Sequence, residues 1–179
     1  MVTIETERLI IREFTQDDFD GVHRYASNPN VVRFMVWGPN TEDETRRFIQ
    51  RKLQSQVLRE RESYDLAITL DGVLIGGGGL TLQGLKSGDA ELGYCLNEEY
   101  WRRGLGTEFA AAMIKYGFEE LGLHRVTAKC DPENHGSYRI MEKNRMTREG
   151  HIRENLRIRG EYRDTLVYGI LRSEWEPTE

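Results

Sequence analysis

The sequence predicts an α/β chain of the α+β kind, with a mixed, mostly antiparallel sheet of seven strands and helices packed against it. Three observations carry that expectation. The chain has 179 residues, 38% hydrophobic and 31% charged, which suits a single domain over residues 1–179 with a packed core and a solvated surface. Short apolar, β-branched stretches recur between turn signals, as at Asp71-Gly72, a two-residue hairpin signal. One run, Ala90 to Cys130, reads strand–helix–strand and so requires one parallel connection in a largely antiparallel sheet.

Taken in order, Arg8 to Phe14 reads as the first strand. Thr15 can cap a helix running to about Ser27, with Asp17 and Asp18 in its first turn, and Asn28-Pro29-Asn30 stops it. Thr41 and Glu44 have the capping-box spacing for a second helix, along which Phe48, Ile49, Leu53, Val57 and Leu58 recur at helical intervals. Tyr64–Leu70 and Val73–Leu82 form the hairpin. The four glycines Gly76 to Gly79 mark a bulge or a close backbone approach. Ala90–Asn97 is the next strand, followed by a helix from about Gly104 to Leu121 and a strand over His124–Cys130. A short helix from about Gly136 to Lys143 precedes a closing antiparallel pair, Thr147–Glu154 and Tyr162–Leu171. Trp175 is expected to pack against the sheet.

The composition narrows the function classes. A formal net charge of −5 disfavours a phosphate-backbone partner, so no nucleic acid is expected, and it mildly favours a cationic substrate. No stretch approaches the ~20 apolar residues of a membrane span, and the first eleven residues lack a signal-peptide apolar segment. The expected location is the cytoplasm. Cys95 and Cys130 read as buried, inert thiols, and the four histidines have no metal-ligand spacing, so no metal is expected.

The most informative stretch is Glu99 to Thr107 (EYWRRGLGT), between a strand and a helix. A helix start exposes unpartnered N–H groups and favours anions, Gly104 and Gly106 permit close approach, and Arg102 and Arg103 add charge. That combination suits a pyrophosphate; the alternative is an ordinary glycine-containing turn. Asn134-His-Gly-Ser137 opens the next helix directly after a strand. Asn134 can hydrogen-bond an amide-bearing ligand and Ser137 can donate to a leaving thiolate; the alternative is that both simply cap the helix.

The stretches ETERLIIREF, GDAELGYCLNEEYWRRGLGTEFAAAMIKYGFEELGLHRVTAKCDPENHGSYRIMEKN and DTLVYGILRSEW together resemble the GNAT superfamily of acetyl-CoA-dependent N-acetyltransferases. Within it they are similar to the RimJ/RimL type, which acetylates ribosomal-protein N-termini. The joint pattern of an acidic strand, W-x-x-G-x-G-T-E and N-x-x-S carries the resemblance over nearly the whole chain. The resemblance implies helices on both faces of the sheet and two central strands that splay apart to admit the pantetheine of acetyl-CoA. By it, the backbone of Tyr94, Cys95 and Leu96 pairs with that arm. The amides from Arg102 and Arg103 through Gly104, Leu105, Gly106 and Thr107 cradle the pyrophosphate. Asn134 contacts the pantetheine, and Arg139 or Lys143 reaches the adenosine end.

Acyl transfer to an amine needs a base to neutralise the ammonium and an acid for the departing thiolate. Glu91, on the strand beside the cleft, is the candidate base, with a surface or ion-paired glutamate as the alternative. Ser137 is the candidate acid, because the position where many superfamily members carry tyrosine is Met141, which cannot donate; Tyr138 is a weaker substitute. Two further departures stand out. Trp101 replaces the usual Gln or Arg. Asn144-Arg145-Met146 replaces Leu-Gly-Phe, so Asn144 is expected to take the left-handed cap. Phe34 to Trp37 is an apolar stretch that either lines a peptide cleft or packs under the second helix. The expected acceptor is a protein or peptide α-amine, with a polyamine, aminoglycoside or amino acid as the alternative and a non-catalytic acyl-CoA sensor as the rival class. A monomer or weak homodimer is expected.

Overall fold

The structure of the protein, a computed structural model, describes residues 1–84 and 88–175. Two short strands, β1 (Thr3–Glu5) and β2 (Leu9–Arg12), open the chain. The strand expected over Arg8–Phe14 is β2; β1 pairs antiparallel with it as an additional edge strand, which makes eight strands among the described residues rather than seven. The turn between β1 and β2 is closed by the Thr6 amide donating to the Leu9 carbonyl at 3.0 Å, and the Thr6 hydroxyl and Arg8 amide also donate to Glu108, a residue a hundred positions away. After a 3₁₀ turn at Gln16–Asp18 comes α1 (Phe19–Ala26). Helix α2 (Glu42–Ser55) starts from the expected box: the Glu44 amide donates to Thr41 Oγ1 at 3.3 Å and the Thr41 amide to Glu44 Oε2 at 2.7 Å. It ends before Val57 and Leu58, which lie exposed instead of on its apolar face.

The hairpin of β3 (Ser63–Leu70) and β4 (Val73–Leu82) turns at Asp71-Gly72, both at positive φ. Then follow β5 (Asp89–Leu96), α3 (Leu105–Glu119), β6 (Arg125–Cys130), α4 (His135–Lys143), β7 (Thr147–Ile158) and β8 (Glu161–Leu171). The sheet order is β1-β2-β3-β4-β5-β6-β8-β7. Among the described residues β5 and β6 form the one parallel pair, linked through α3 as the strand–helix–strand run requires.

Each face of the sheet has its own core. Leu105, Phe109, Met113 and Phe118 of α3 pack on Leu66, Ile68, Leu80, Leu92 and Val126, and Trp175 joins them with its ring 5.5 Å from that of Phe118. On the other face Phe14, Val22, Tyr25 and Ile49 pack on Ala67, Leu74 and Cys95. The glycine run of β4 is required by close approach. A Cβ on Gly76 would lie 2.3 Å from the Cys95 carbonyl oxygen, and one on Gly79 1.9 Å from that of Tyr64. Helix α4 ends in a Schellman turn: the Met146 amide donates to the Met141 carbonyl and the Arg145 amide to that of Glu142, both at 3.0 Å. The left-handed residue is Arg145 at φ +59°, not Asn144, whose φ is −89°. Arg145 is the residue that matches the family's glycine, so the conformation is kept without the residue that adopts it most easily.

Candidate active site

The site begins where the parallel pair comes apart. β5 and β6 are in register from Asp89↔Arg125 to Leu92↔Ala128, and pairing stops there although both strands continue. Gly93–Leu96 remains paired to β4, and Lys129–Cys130 to β8. A wedge-shaped seam therefore opens at the C-terminal ends of the two strands. Strand alternation decides which backbone groups face it. The Asn97 amide donates to the Ile75 carbonyl at 2.8 Å, and the Cys95 carbonyl is turned toward β4. Tyr94 and Leu96 are thus the residues of the Tyr94–Leu96 stretch whose backbone points into the seam. The indole Nε1 of Trp101 donates to the Leu96 carbonyl at 2.8 Å, which ties the following loop to the strand end.

That loop delivers α3. Arg102 (φ +61°) and Gly104 (φ +80°) both take left-handed backbone, and Gly104 is the N-cap with no side-chain cap. The first helical bond runs from the Glu108 amide to the Gly104 carbonyl at 3.1 Å, so the amides of Leu105, Gly106 and Thr107 have no carbonyl one turn back. Arg102 and Arg103 are exposed beside them, Arg103 with its guanidinium 5.2 Å from the centre of the Tyr100 ring. Gly106 serves packing: a Cβ there would meet Ile140 Cδ1 of α4 at 2.7 Å. The entry is held in place by Arg8, which donates to the Arg103 carbonyl at 2.9 Å and pairs with Glu108 at 2.6 Å. Burial pushes the Glu108 carboxyl up, but the bonds from the Thr6 hydroxyl, the Arg8 amide and the Arg8 side chain outweigh it and hold it below the ordinary carboxylate range. An acyl donor with a diphosphate fits this arrangement, since uncapped amides, a left-handed glycine and two exposed arginines meet beside an unpaired strand edge.

At the mouth of the seam, α4 brings Ser137 against β5. The Tyr94 hydroxyl lies 3.2 Å from Ser137 Oγ and donates to the Ser137 carbonyl at 3.1 Å. Burial pushes the Tyr94 hydroxyl well above its ordinary value, with the Ser137 bond opposing. Cys130, at the end of β6, also reaches the Ser137 side chain, and burial pushes its thiol up to about 11. Cys95 is buried on the opposite face and pushed up to about 12 by desolvation. Asn134 caps α4, its Oδ1 accepting the Ser137 amide at 3.3 Å, which leaves Nδ2 as its group for a ligand. Met141 is buried in the core and the Tyr138 ring lies tilted against that of His135, 5.5 Å between centres. The sequence reading placed the Tyr94 backbone at the site and missed its hydroxyl. The signal for it is the alternation of Leu92, Tyr94 and Leu96, which turns all three toward α3 and α4.

Glu91 lies on the face away from α3, with its side chain 32% exposed and Oε2 2.6 Å from Lys129 Nζ on β6. It is ion-paired across the strands just below the seam and is not in contact with Ser137. Around it on this side, Asp131 takes Arg163 Nε at 2.7 Å, and Glu133 takes Arg163 at 2.7 Å and Arg33 at 3.7 Å. The hydrogen bonds it donates to these two carboxylates push the Arg163 guanidinium well above its ordinary value. Val36 and Trp37 of the loop between α1 and α2 lie exposed, while Met35 packs on the second core.

The acetyltransferase (GNAT) domain family model matches residues 8–147. The uncharacterized N-acetyltransferase YnaD of Bacillus subtilis (strain 168) is 34% identical over 172 residues, covering 96% of this chain and 98% of YnaD. The crystal structure of an acetyltransferase (GNAT family) from Bacillus anthracis has a TM-score of 0.87 at 34% identity, covering 97% and 100% of the two chains. More distant relatives differ in acceptor. The spermidine N(1)-acetyltransferase of Escherichia coli (strain K12) is 24% identical over 166 residues, 92% of this chain and 87% of that protein. The ribosomal protein uS5-alanine N-acetyltransferase of the same organism is 28% identical over 86 residues, 48% of this chain and 44% of that protein. A seam and helix entry built for an acyl donor, in a chain matched along most of its length, has one explanation: the protein belongs to the GNAT family and is an acetyl-CoA-dependent N-acetyltransferase acting on amines.

Proposed function

We propose that the acceptor is the α-amine of a protein or peptide. The observation that carries this reading is that the carboxylates around the seam already have partners: Glu91 has Lys129, Asp131 and Glu133 have Arg163, and Glu98 has Asn28 and Asn30. A polyamine carries several ammonium groups and needs free carboxylates to hold those that do not react. An α-amine, with a pKa of roughly 7.7–8.0, asks only for one proton to be removed. The polyamine reading draws support from the spermidine enzyme, whose likeness extends over 92% of this chain. A mass-spectrometric acceptor screen with alanine-initiated peptides and spermidine separates the two. Transfer to peptides is expected; acetylation of spermidine with none of the peptides overturns the choice.

In this reading acetyl-CoA supplies the acetyl group, its diphosphate on the amides of Leu105, Gly106 and Thr107 with Arg102, Arg103 and Gly104 around it. Tyr94 and Leu96 offer backbone to its arm and Asn134 its Nδ2, while Cys95, turned toward β4 and the second core, makes no contact with it. Glu91 accepts the amine's proton, directly or through water, once Lys129 yields. Ser137 donates its proton to the departing sulfur and recovers one from solvent, and Tyr94, in hydrogen-bond reach of Ser137 Oγ, orients that hydroxyl. Ser137→Ala is expected to lower kcat by about 10²-fold with the acetyl-CoA Kd little changed. Unchanged turnover would remove Ser137 from the mechanism. Tight acetyl-CoA binding with no CoA release on any amine would favour a sensor over an enzyme.

A further inference from the structure

The turn between β7 and β8 is a two-residue hairpin closing Ile158↔Glu161, with Arg159 at φ +48° and Gly160 at φ +91°. A turn with both central residues at positive φ favours Asn or Asp at its first position. Arginine is an uncommon occupant, and an unfavourable backbone held in place points to what the side chain does. Here the guanidinium reaches over to the loop joining α1 and α2. It donates to the carbonyls of Val32, Arg33, Met35, Trp37 and Gly38 at 2.9–3.3 Å. A planar fork with five N–H groups suits such a ring of carbonyls as no lysine can.

The same loop is fastened at two further points. Asn28 and Asn30 donate to Glu98 at 2.7 and 2.9 Å, and Glu98 stands two residues beyond the end of β5. Arg33 pairs with Glu133, three residues beyond the end of β6. The loop is therefore tied to the continuation of one arm of the seam, to the continuation of the other, and to the β7–β8 turn beyond. It spans the open end of the seam. Its apolar residue Val36 lies exposed, between the Met35 and Trp37 carbonyls that Arg159 holds.

We infer that Arg159 is a positioning residue for the acceptor side: it clamps the α1–α2 loop as a roof over the seam, which orients the incoming amine and keeps water from the thioester. The inference rests on acyl transfer taking place at the seam. Excluding water and fixing geometry act on the acceptor and on hydrolysis, not on the diphosphate end, so the consequences separate.

The test compares wild type with Arg159→Asn and Arg159→Lys. Asparagine suits the turn, so Arg159→Asn keeps the hairpin while removing the fork. Melting temperature and acetyl-CoA Kd are expected to stay near wild type. The KM for an alanine-initiated peptide should rise about tenfold, with kcat changing less, and acetyl-CoA hydrolysis measured without amine should increase several-fold. Arg159→Lys should behave like Arg159→Asn, because charge alone does not replace the fork. Peptide KM and hydrolysis both unchanged in Arg159→Asn would overturn the inference. A wild type active on spermidine and silent on peptide would overturn the peptide reading alone, and the hydrolysis comparison would still decide the role of Arg159. Acetyl-CoA failing to bind the wild type would instead sink the acyl-transfer reading at the seam.

Discussion

At the scale of single residues, the groups that organise the molecule are charges placed where water is scarce. Arg12 donates from both terminal nitrogens to Asp18 at 2.8 Å, and the Thr15 amide adds a third bond at 2.7 Å. Burial pushes the Asp18 carboxyl up, but these bonds outweigh it and hold it below its ordinary value of 3.8. A depressed folded value means that ionised Asp18 contributes stability in full above that ordinary value. The contribution is lost as pH falls through the depressed one. Asp18→Asn is expected to lower stability by about 2 kcal/mol at neutral pH and to flatten the acid limb of the stability–pH curve. Urea titrations of both proteins between neutral and acid pH check this; an acid limb as steep in the variant as in wild type would remove Asp18 from it. Tyr94→Phe tests the hydroxyl that faces Ser137. It should slow turnover less than Ser137→Ala, because it removes a residue acting through the serine, and stopped assays at saturating acetyl-CoA read the difference.

At the scale of elements, local chemistry was legible and remote contact was not. Thr41-x-x-Glu44, Asp71-Gly72 and the glycine-bearing entry to α3 each encode their geometry within a few neighbours, and the structure forms all three. The bond from the β1–β2 turn to Glu108 spans 102 positions, the Tyr94–Ser137 contact 43 and the Glu91–Lys129 pair 38, so no local pattern announces them. The cap of α4 is an intermediate case: a left-handed residue was foreseen, but side-chain preference pointed to Asn144 and the helix register placed Arg145 there. Two substitutions probe the legible part. Thr41→Ala should cost about 1 kcal/mol through loss of the box, read by thermal or urea unfolding, with acetyl-CoA Kd unchanged. Gly104→Ala forces a Cβ into left-handed backbone, with about 1 kcal/mol of destabilisation. It also crowds the free amides, so the acetyl-CoA Kd should rise about tenfold. Calorimetry showing unaltered affinity would detach that turn from the diphosphate.

At the scale of the whole molecule, one sheet separates two cores, and every strand among the described residues joins it. Phe14 and Phe109 lie on opposite faces, each 2% exposed or less. Phe109→Ala should lower stability by about 3–5 kcal/mol, and both Phe14→Ala and Phe109→Ala should melt in one transition, as expected if residues 1–179 form a single cooperative domain. Two separated transitions in scanning calorimetry would divide the chain. The seam has a consequence at this scale as well. On its β6 side β5 has no strand partner from Gly93 onward, and in the proposed reading the extended arm of the acyl donor lies along that edge as a borrowed strand. Such a ligand at a hundredfold excess over its Kd adds about 2.7 kcal/mol to the folded state. In that reading each departure of spent CoA removes the borrowed strand, so the step that the architecture resists is letting go.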